Sequence, residues 1–513
     1  MDSIPPSSQP QSAPRADHKS EEEGSVGLQT MSSTQLGVVM HQKPFTMWTA
    51  MGIGHSITNT AITVTVGLAS GIAFGGPPIF FYGFLLMAFV ALCVAVTLDE
   101  LSSAFPHSGG QYFWVSVLAP DKAKRFLSYI TGVVAWTGAV CTGASVCLAV
   151  PSIIFNMVAL NRPNFTFNSW QVFLAYQAIN LAAFGFNLFE RALPWVSRTL
   201  LVYTVLTLIV VFVAALAGPS AELPASQFFA NLNNISGWPD GIAFILGLNS
   251  SNWAFSCLDA AVHLADEIPE PRKNIPKALL ATVCLGTFTG FLIIFSLFFA
   301  STDMDSAVSA AVPSLQIFYN AYNGNAAAAL GLQILVTISA AGALIGIHTW
   351  QSRIAWAFSR DRGFPFHRYM SRIAPEPFGT PIWAHVWSSL WVSVLGCLYL
   401  GSTLAFNSLV AGGILLQYLT YSTCVVLLLW RGRGSITPGP FWLPRFGLVA
   451  NWVTLCWTVI ALVFYCFPYF LPVQADQMNY VVAVIVGFYL YAIAYWFLFG
   501  RKEFKLPDPE THL

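Results

Sequence analysis

Residues 52–71 of the chain read GIGHSITNTAITVTVGLASG, and residues 247–264 read GLNSSNWAFSCLDAAVHL. Both stretches lie in apolar runs long enough to cross a bilayer as helices, yet each carries hydroxyl, amide and glycine residues at its centre. Freed backbone groups in lipid cost several kcal/mol unless they line a cavity or are buried in protein. The two stretches therefore predict two interrupted membrane helices that border a cavity.

The composition of the whole chain is that of a membrane protein. Of its 513 residues, 56% are hydrophobic and 9% are charged, whereas soluble proteins average about 25% charged residues. The net charge is zero, and there is no basic stripe with interleaved aromatic residues to indicate nucleic-acid binding. The nine cysteines fall in apolar runs without zinc-site spacing, which argues against a metal, a disulfide framework or another cofactor.

Apolar stretches of spanning length recur from Phe45 onward and predict twelve membrane helices. Residues 1–43 predict a disordered cytoplasmic tail, residues 44–500 the twelve-helix domain and residues 501–513 a cytoplasmic C-terminal tail. The predicted spans are residues 46–74, 78–98, 126–158, 169–189, 194–217, 239–262, 278–301, 326–350, 381–401, 405–430, 447–470 and 479–499.

The distribution of basic residues predicts the orientation of these spans. With the N-terminus inside, 22 of the 23 Lys and Arg residues fall on one side, and only Arg162 lies on the other. Positively charged flanks resist translocation, so the basic side is predicted to be cytoplasmic. The sequons at Asn164 and Asn234 then lie in external loops, which makes these two residues the predicted glycosylation sites.

The interrupted spans one and six occupy corresponding positions in two five-helix units, and this pattern is typical of a transporter's binding site. Half-helix N-termini offer N–H groups to a carboxylate, while carbonyls and hydroxyls receive an ammonium or a coupling ion. Trp253 and Phe255 in span six, with Trp136 in span three, offer ring faces to an ammonium. The alternative is that the small residues merely let helices pack closely.

Ionisable residues in the spans are candidates for coupling. A carboxylate at membrane depth is costly and usually faces a cavity, so Asp259 pairs with a substrate amine, carries a coupling proton or lies in a wetted vestibule. His55 is a candidate proton carrier, and the alternative is a neutral buried histidine. Asp99 and Glu100 end span two and are expected to anchor the following loop by pairing with basic residues.

Three motifs carry a resemblance to a known family. They are GGPPIFFYGFLLMAFVALCVAVTLDELSSAFPHSGGQYFWVSVLAP at residues 75–120, NWAFSCLDAAVHLADEIPEPRKNIPKAL at residues 252–279 and QSRIAWAFSRDRGFPF at residues 351–366. In this order and at these spans they resemble fungal amino acid/choline permeases of the amino acid–polyamine–organocation (APC) superfamily. The resemblance implies an all-α membrane fold of two inverted five-helix repeats followed by two extra helices, with secondary active transport by alternating access.

The resemblance also implies which residues form the site. By motif position, the unwound segments and substrate contacts are Thr58, Asn59, Thr60, Ala61, Asn252, Trp253, Ala254, Phe255 and Ser256. Relatives often have Gly-Pro where this chain has Cys257-Leu258, so the interruption of span six is expected to be displaced. Sodium sites of this architecture use span-one carbonyls and span-eight hydroxyls, here Thr337 and Ser339, whereas fungal relatives imply proton coupling.

The sequence therefore predicts a permease for amino acids or related amines, such as choline, γ-aminobutyrate or a polyamine. The expected membrane is the plasma membrane, with a vacuolar or other internal membrane as the alternative. A membrane enzyme is disfavoured because the loops have no HxxxxD or HxxHH pattern. A non-transporting sensor is disfavoured because neither tail reads as a folded domain.

Overall fold

The computed structural model describes residues 47–218, 223–474 and 478–507. The predicted N-terminal tail lies outside the described residues. Within these three ranges every regular element is helical, and the sole β contact is an isolated bridge between Phe189 and Gly379. The all-α fold class is thus confirmed.

The α-helices are numbered in chain order. They are α1 Met47–Thr58, α2 Thr60–Gly71, α3 Phe84–Ala104, α4 Gln111–Leu118, α5 Lys124–Asn161, α6 Ser169–Phe186, α7 Leu193–Ala217, α8 Ala225–Phe229, α9 Asp240–Ala254, α10 Pro271–Phe299, α11 Met304–Ser309, α12 Pro313–Ala321, α13 Ala326–Arg360, α14 His367–Met370, α15 Ile382–Gly401, α16 Thr403–Arg431, α17 Phe446–Phe464, α18 Val481–Tyr495 and α19 Arg501–Glu503. Short 3₁₀-helices cover Ile72–Phe74, Glu190–Ala192, Leu258–Leu264 and Arg433–Ser435, and π-helical turns cover Ile79–Gly83 and Trp496–Gly500.

Ten helical segments of the described chain are long and apolar enough to cross a membrane. They match ten of the predicted spans. Predicted span four is α6, an 18-residue helix that carries Gln171, Gln177 and Asn180. Predicted span six is divided between α9 and the 3₁₀-helix Leu258–Leu264, which is why neither part has spanning length. The exact count of twelve spans stays a prediction.

Span one is interrupted at a single residue. Asn59 adopts the left-handed conformation, with φ 38° and ψ 50°, and separates α1 from α2. Asparagine tolerates this conformation better than most residues. The Thr63 hydroxyl donates to the Thr58 carbonyl over 2.9 Å and replaces part of the lost backbone bonding. The interruption predicted from the polar run is therefore present at its centre.

Span six is interrupted between Ala254 and Leu258, where α9 ends and the 3₁₀-helix begins. Cys257 is left-handed, with φ 66° and ψ 24°, a conformation that costs a non-glycine residue roughly 1–2 kcal/mol. Its N–H donates to Gln417 Oε1 over 3.0 Å. A side-chain acceptor on α16 thus holds the Cys257-Leu258 pair in the interrupted form, and a displacement relative to the relatives stays a prediction.

The long helix α5 lies at the centre of the packing. It packs against α13 and α16 and also contacts α4, while the two halves of span one pack against α10. The ten largest fully buried side chains of the described residues are all aromatic, including Trp114, Trp350 and Tyr129. The interrupted helices are therefore surrounded by continuous ones, which supply partners for the freed polar groups.

The predicted glycosylation residues lie in loops that connect helix ends. Asn164 is exposed, between α5 and α6. Asn234 is partly buried, and its Nδ2 donates to the Trp238 carbonyl over 2.7 Å and to Asp240 over 3.0 Å. Modification of either residue stays a prediction.

Glu100 forms a buried ion pair at the end of α3. Its two carboxylate oxygens accept from Arg433 over 2.7 and 2.9 Å, and Oε1 also accepts the Leu443 N–H. The expected anchor to the following loop is therefore wrong, because the pairing residue lies in the loop after α16. Asp99 is fully buried, and within the described chain neither of its carboxylate oxygens has a hydrogen-bond partner.

We predict that Glu100→Gln lowers the thermal stability of the purified protein markedly, because one partner of a buried bidentate pair is lost. Such a loss costs roughly 3–5 kcal/mol. Glu376→Gln is the matched control, since its pair with Arg191 is exposed and exposed pairs contribute less than about 1 kcal/mol. Equal unfolding temperatures for the two variants would contradict this prediction.

Candidate functional site

Two cavities meet at the interrupted helices. The inner one has a volume of about 30 Å³, room for a water molecule or two. Its lining residues are Ile57, Thr58, Asn59, Ile62, Thr63, Val66, Thr142, Val146, Ala149, Trp253, Ser256, Cys257, Ala340, Ala343 and Ile347. The outer one has a volume of about 440 Å³ and includes Phe74, Asn249, Tyr469 and Phe470. Val66, Ala149 and Trp253 line both cavities, so they form the boundary between them.

Four of the predicted contact residues line the inner cavity: Thr58, Asn59, Trp253 and Ser256. The structure does not bring the other predicted residues of spans one and six to either cavity; these are Thr60, Ala61, Asn252, Ala254 and Phe255. Only one face of a helix reaches a given cavity, so neighbouring residues point elsewhere.

Two of these residues have clear alternative partners. The Phe255 ring packs on Phe84, with centroids 5.1 Å apart. Asn252 accepts from the Tyr418 hydroxyl over 2.8 Å and donates to Tyr465 over 3.3 Å. Both side chains therefore bind span six to its neighbours instead of facing a solute.

Trp136 is not part of either cavity, which corrects its assignment as a ring for an ammonium. Its Nε1 donates to Ser388 Oγ over 3.0 Å, and its ring contacts Phe364 at 4.8 Å between centroids. Thr142 is one of the α5 residues that line the inner cavity, with Val146 and Ala149. Six residues along a helix turn the side chain by about 240°, so Trp136 and Thr142 lie on different faces.

A hydrogen-bonded chain that the sequence analysis missed links three helices at the span-six interruption. Gln417 accepts from the Cys257 N–H over 3.0 Å and donates to Thr142 Oγ1 over 3.1 Å. The N–H groups of Phe255 and Ser256 donate to the carbonyls of Asn252 and Trp253. The only signal in the sequence is a glutamine within the apolar run of α16. As a result, the N–H groups of Phe255, Ser256 and Cys257 are already paired.

The span-one interruption is bonded to span eight. Asn59 Nδ2 donates to the Ser339 carbonyl over 3.3 Å and to its Oγ over 3.1 Å, and Ser339 Oγ lies 2.6 Å from Thr204 Oγ1. A sodium ion bound here would need those oxygens as ligands, but they face an N–H donor. Asn59 Oδ1 has no partner among the described residues and is available to accept a hydrogen bond in the inner cavity.

The two coupling candidates lie away from both cavities. The Asp259 side chain is 2% exposed, which excludes the wetted-vestibule alternative for this conformation. It accepts from the Tyr421 hydroxyl and from Gln111 Nε2, each over 2.7 Å, and lies 3.1 Å from His263 Nε2. His55 is buried, and its Nδ1 has no partner within the described ranges.

Charged pairs join the helices on the side that carries the basic loops. Arg353 pairs with Glu267, and both side chains are 4% exposed. Arg360 pairs with Asp266 over 3.0 Å. These contacts tie the segment after span six to α13. The predicted cytoplasmic side is therefore closed in this conformation, and the larger cavity lies on the opposite side of Trp253.

A further contact on the basic side involves a titratable group. The Tyr112 hydroxyl donates to Asp361 Oδ2 over 2.8 Å and connects α4 to the end of α13. Burial raises the pKa of Asp361 to about 7, although the Tyr112 hydrogen bond and the Arg360 charge act in the opposite direction. This carboxyl group therefore changes charge near neutral pH.

We predict that the folded protein is more stable at about pH 6 than at about pH 8, in part because of Asp361. A carboxyl whose pKa rises on folding favours the folded state while it is protonated, and this contribution is lost as the pH rises through about 7. The expected difference is roughly 1 kcal/mol. Asp361→Asn should reduce the shift in unfolding temperature between the two pH values. The control is Asp121→Asn, because the Lys124 hydrogen bond lowers the pKa of Asp121 and keeps this carboxyl ionised at both pH values. If the unfolding temperature shifted equally with pH in the two variants, Asp361 would not be the group responsible.

Comparison with known proteins decides the family. A family model described as "Amino acid permease" matches residues 45–488. The chain belongs to this family. It is 47% identical over 470 residues to the transmembrane transporter swnT of Metarhizium robertsii, with 92% of this chain and 94% of that protein covered. It is 44% identical to the swainsonine transporter swnT of Arthroderma benhamiae, with 92% and 93% covered.

A third relative is the choline transporter of Saccharomyces cerevisiae, which is 40% identical over 472 residues, with 91% of this chain and 83% of that protein covered. Because these relatives are named as transporters, the permease family assignment confirms that the chain is a transporter of small solutes and not an enzyme. It is an integral, multi-pass membrane protein. The cavities at the two interruptions are therefore the candidate transport site of this permease.

We predict that Asn59→Leu and Ser256→Leu abolish uptake while the protein still reaches its membrane. Both side chains line the 30 Å³ inner cavity, and a leucine at either position would fill it with apolar bulk. Thr287→Leu is the control, since its hydroxyl bonds only the Val283 carbonyl of its own helix. Uptake and membrane localisation should be measured together; wild-type uptake by both cavity variants would remove these residues from the site.

Proposed function

We propose that this permease carries a small hydroxylated amine cation of the choline type, coupled to protons, across the plasma membrane. One observation carries the choice of solute. Among the described residues that line the two cavities, none is Asp, Glu, Lys, Arg or His. The aromatic residues there include Trp253, Tyr469 and Phe470. Such a lining suits a cation that binds through ring faces and neutral oxygens.

The hydrogen bonds at the interruptions support an amine without a carboxylate. A carboxylate needs free N–H donors, but the three N–H groups from Phe255 to Cys257 are already paired. An ammonium instead favours helix C-termini, whose carbonyls carry partial negative charge. Both α1 and α9 end at the interruptions, at Thr58 and Ala254.

The names of the relatives agree with this solute class. One is a choline transporter and another a swainsonine transporter. Choline is a quaternary ammonium, swainsonine is an amine, and both carry hydroxyl groups. Asn59 Oδ1, which lacks a partner in the described structure, is a suitable acceptor for such a hydroxyl.

Proton coupling is proposed in place of sodium coupling because of Asn59. Its amide donates to the two oxygens of Ser339, and an N–H donor there competes with a bound cation for the same oxygens. Replacement of sodium by potassium in the medium is therefore expected to leave uptake unchanged, whereas dissipation of a pH gradient is expected to reduce it.

One observation favours an amino acid as the second candidate. Helix α2 begins at Thr60 without a side-chain cap, so its first N–H groups are a possible site for a carboxylate. A panel of labelled choline, swainsonine, γ-aminobutyrate, neutral amino acids and spermidine distinguishes the candidates. In a yeast strain that lacks its own choline transporter, uptake of the first two compounds is expected. Uptake of amino acids alone would overturn the proposal.

We predict that Trp253→Leu weakens choline uptake, while Trp253→Phe has a smaller effect. A cation–π contact contributes about 0.5–2 kcal/mol, or roughly 2- to 30-fold in apparent affinity. The control ligand is 3,3-dimethyl-1-butanol, the uncharged isostere of choline, as a competitor. Trp253→Leu should narrow the preference for choline over the alcohol. An unchanged preference would show that Trp253 does not bind the charge.

A further inference from the structure

Asp259 and His263 form a buried acid–imidazole pair on the 3₁₀-helix that follows the span-six interruption. Asp259 Oδ2 lies 3.1 Å from His263 Nε2, and the two side chains are 2% and 0% exposed. His263 Nδ1 lies 2.9 Å from the carbonyl oxygen of Ser108. Each ring nitrogen therefore has one protein partner.

These partners fix the number of protons in the pair. A carbonyl oxygen only accepts, so the Nδ1 atom of His263 must carry a hydrogen. The contact between Nε2 and the Asp259 carboxyl group then needs one more proton, on either the imidazole or the carboxyl. Without that proton two lone pairs would face each other at 3.1 Å. Tyr421 and Gln111 also donate to Asp259 and leave this single position for a titratable proton.

The pair is attached to the first loop on the basic side. The Nδ1 hydrogen of His263 is donated to the Ser108 carbonyl, and Gln111 Nε2 donates to Asp259 Oδ2. Gly110 has a positive φ of 55°, which favours glycine, and a side chain there would come within 2.8 Å of the His263 ring. Ser108 Oγ in turn bonds Asp266 and Arg360. The loop 107–111 therefore lies directly on the pair and is connected to the ion pairs that close this side.

We propose that Asp259 and His263 are the binding site of the coupling proton, and that this proton holds the loop 107–111 against span six. This inference rests on the proposed proton coupling. When the basic side opens, the Nε2–Asp259 position gives one proton to water, which leaves a carboxylate and a neutral imidazole that keeps its Nδ1 hydrogen. The repulsion between their lone pairs then separates the two side chains. Because the His263 ring is hydrogen-bonded to the Ser108 carbonyl, the loop moves with the His263 side chain.

Several other titratable or charged groups lie on the elements that pack against this 3₁₀-helix or touch its loop. They are His55 on α1, Asp99 and Glu100 on α3, Arg272 on α10, His348, Arg353 and Arg360 on α13, Tyr421 and Cys424 on α16, Cys257, Asp266 and Glu267 beside the 3₁₀-helix, and His107, Tyr112 and Asp361 around the loop. His107 and Asp361 are the two most able to mimic the effect, because both contact the loop region. The test must separate them from the pair.

The test is hydrogen–deuterium exchange of the purified full-length protein in detergent, at about pH 6 and about pH 8 and corrected for the intrinsic exchange rate. We expect residues 107–111 of the wild type to exchange at least about threefold faster at the higher pH. Asp259→Asn and His263→Gln should both lose this dependence. His107→Gln and Asp361→Asn, together with His367→Gln at a partly exposed histidine on the same side, should keep it in the loop. The proposal would be overturned if His263→Gln kept the pH dependence of exchange at residues 107–111, or if the wild type showed no such dependence.

A transport measurement separates this proposal from the proposed function. In proteoliposomes loaded with choline, exchange of labelled choline should remain within about threefold of wild type in both variants, while accumulation driven by a pH gradient is lost. Gradient-driven accumulation by Asp259→Asn and His263→Gln would overturn the proton site and leave the permease assignment intact. If the wild type did not exchange labelled choline, the proposed solute would be refuted. The hydrogen–deuterium exchange of residues 107–111 would still decide whether Asp259 and His263 form the proton site.

Discussion

Every backbone polar group in a lipid-embedded helix needs a partner inside the protein, and the rest of this structure depends on how that requirement is met at two interruptions. At Asn59 the side chains of Thr63 and Asn59 supply partners, on the same span and on span eight. At Cys257 the partner is Gln417 of span ten. Gln417 also donates to Thr142 of span three, so the Asn59–Ser339 and Gln417–Thr142 bonds join the two halves of the protein where the inner cavity lies.

The polar residues of the interrupted spans therefore have two separate roles. Some, such as Asn252, bond neighbouring helices and hold the interruption in place. Others, such as Ser256, line the inner cavity and are available to a solute. Buried hydrogen-bond networks of the first kind fix geometry, and we propose that those of the second kind are completed by the solute. A cluster of polar residues in a membrane helix therefore does not by itself show which of them line the cavity.

The sequence was sufficient for the all-helical fold, the positions of the interruptions and the family, because hydrophobic length and polar clusters are local signals. It did not reveal which face of a helix meets the cavity, so Trp136 was placed there while Thr142 was missed. It also assigned Glu100 to the loop that follows span two, whereas the partner of Glu100, Arg433, lies 333 positions away. Pairings between distant segments depend on packing, which composition and spacing do not encode.

The arrangement of charge is consistent with a cationic solute. An uncompensated carboxylate in the inner cavity would bind a cation tightly and slow its release, whereas ring faces and carbonyls bind it more weakly. The carboxylate nearest the interruption, Asp259, lies outside the cavity and keeps its own partners, Tyr421 and His263. Under the proposed mechanism the ionisable group is thus kept for the coupling reaction, and the solute meets only neutral groups. Such a separation would let the solute and the proton bind at different places on the same interrupted helix, so that movement of one segment acts on both.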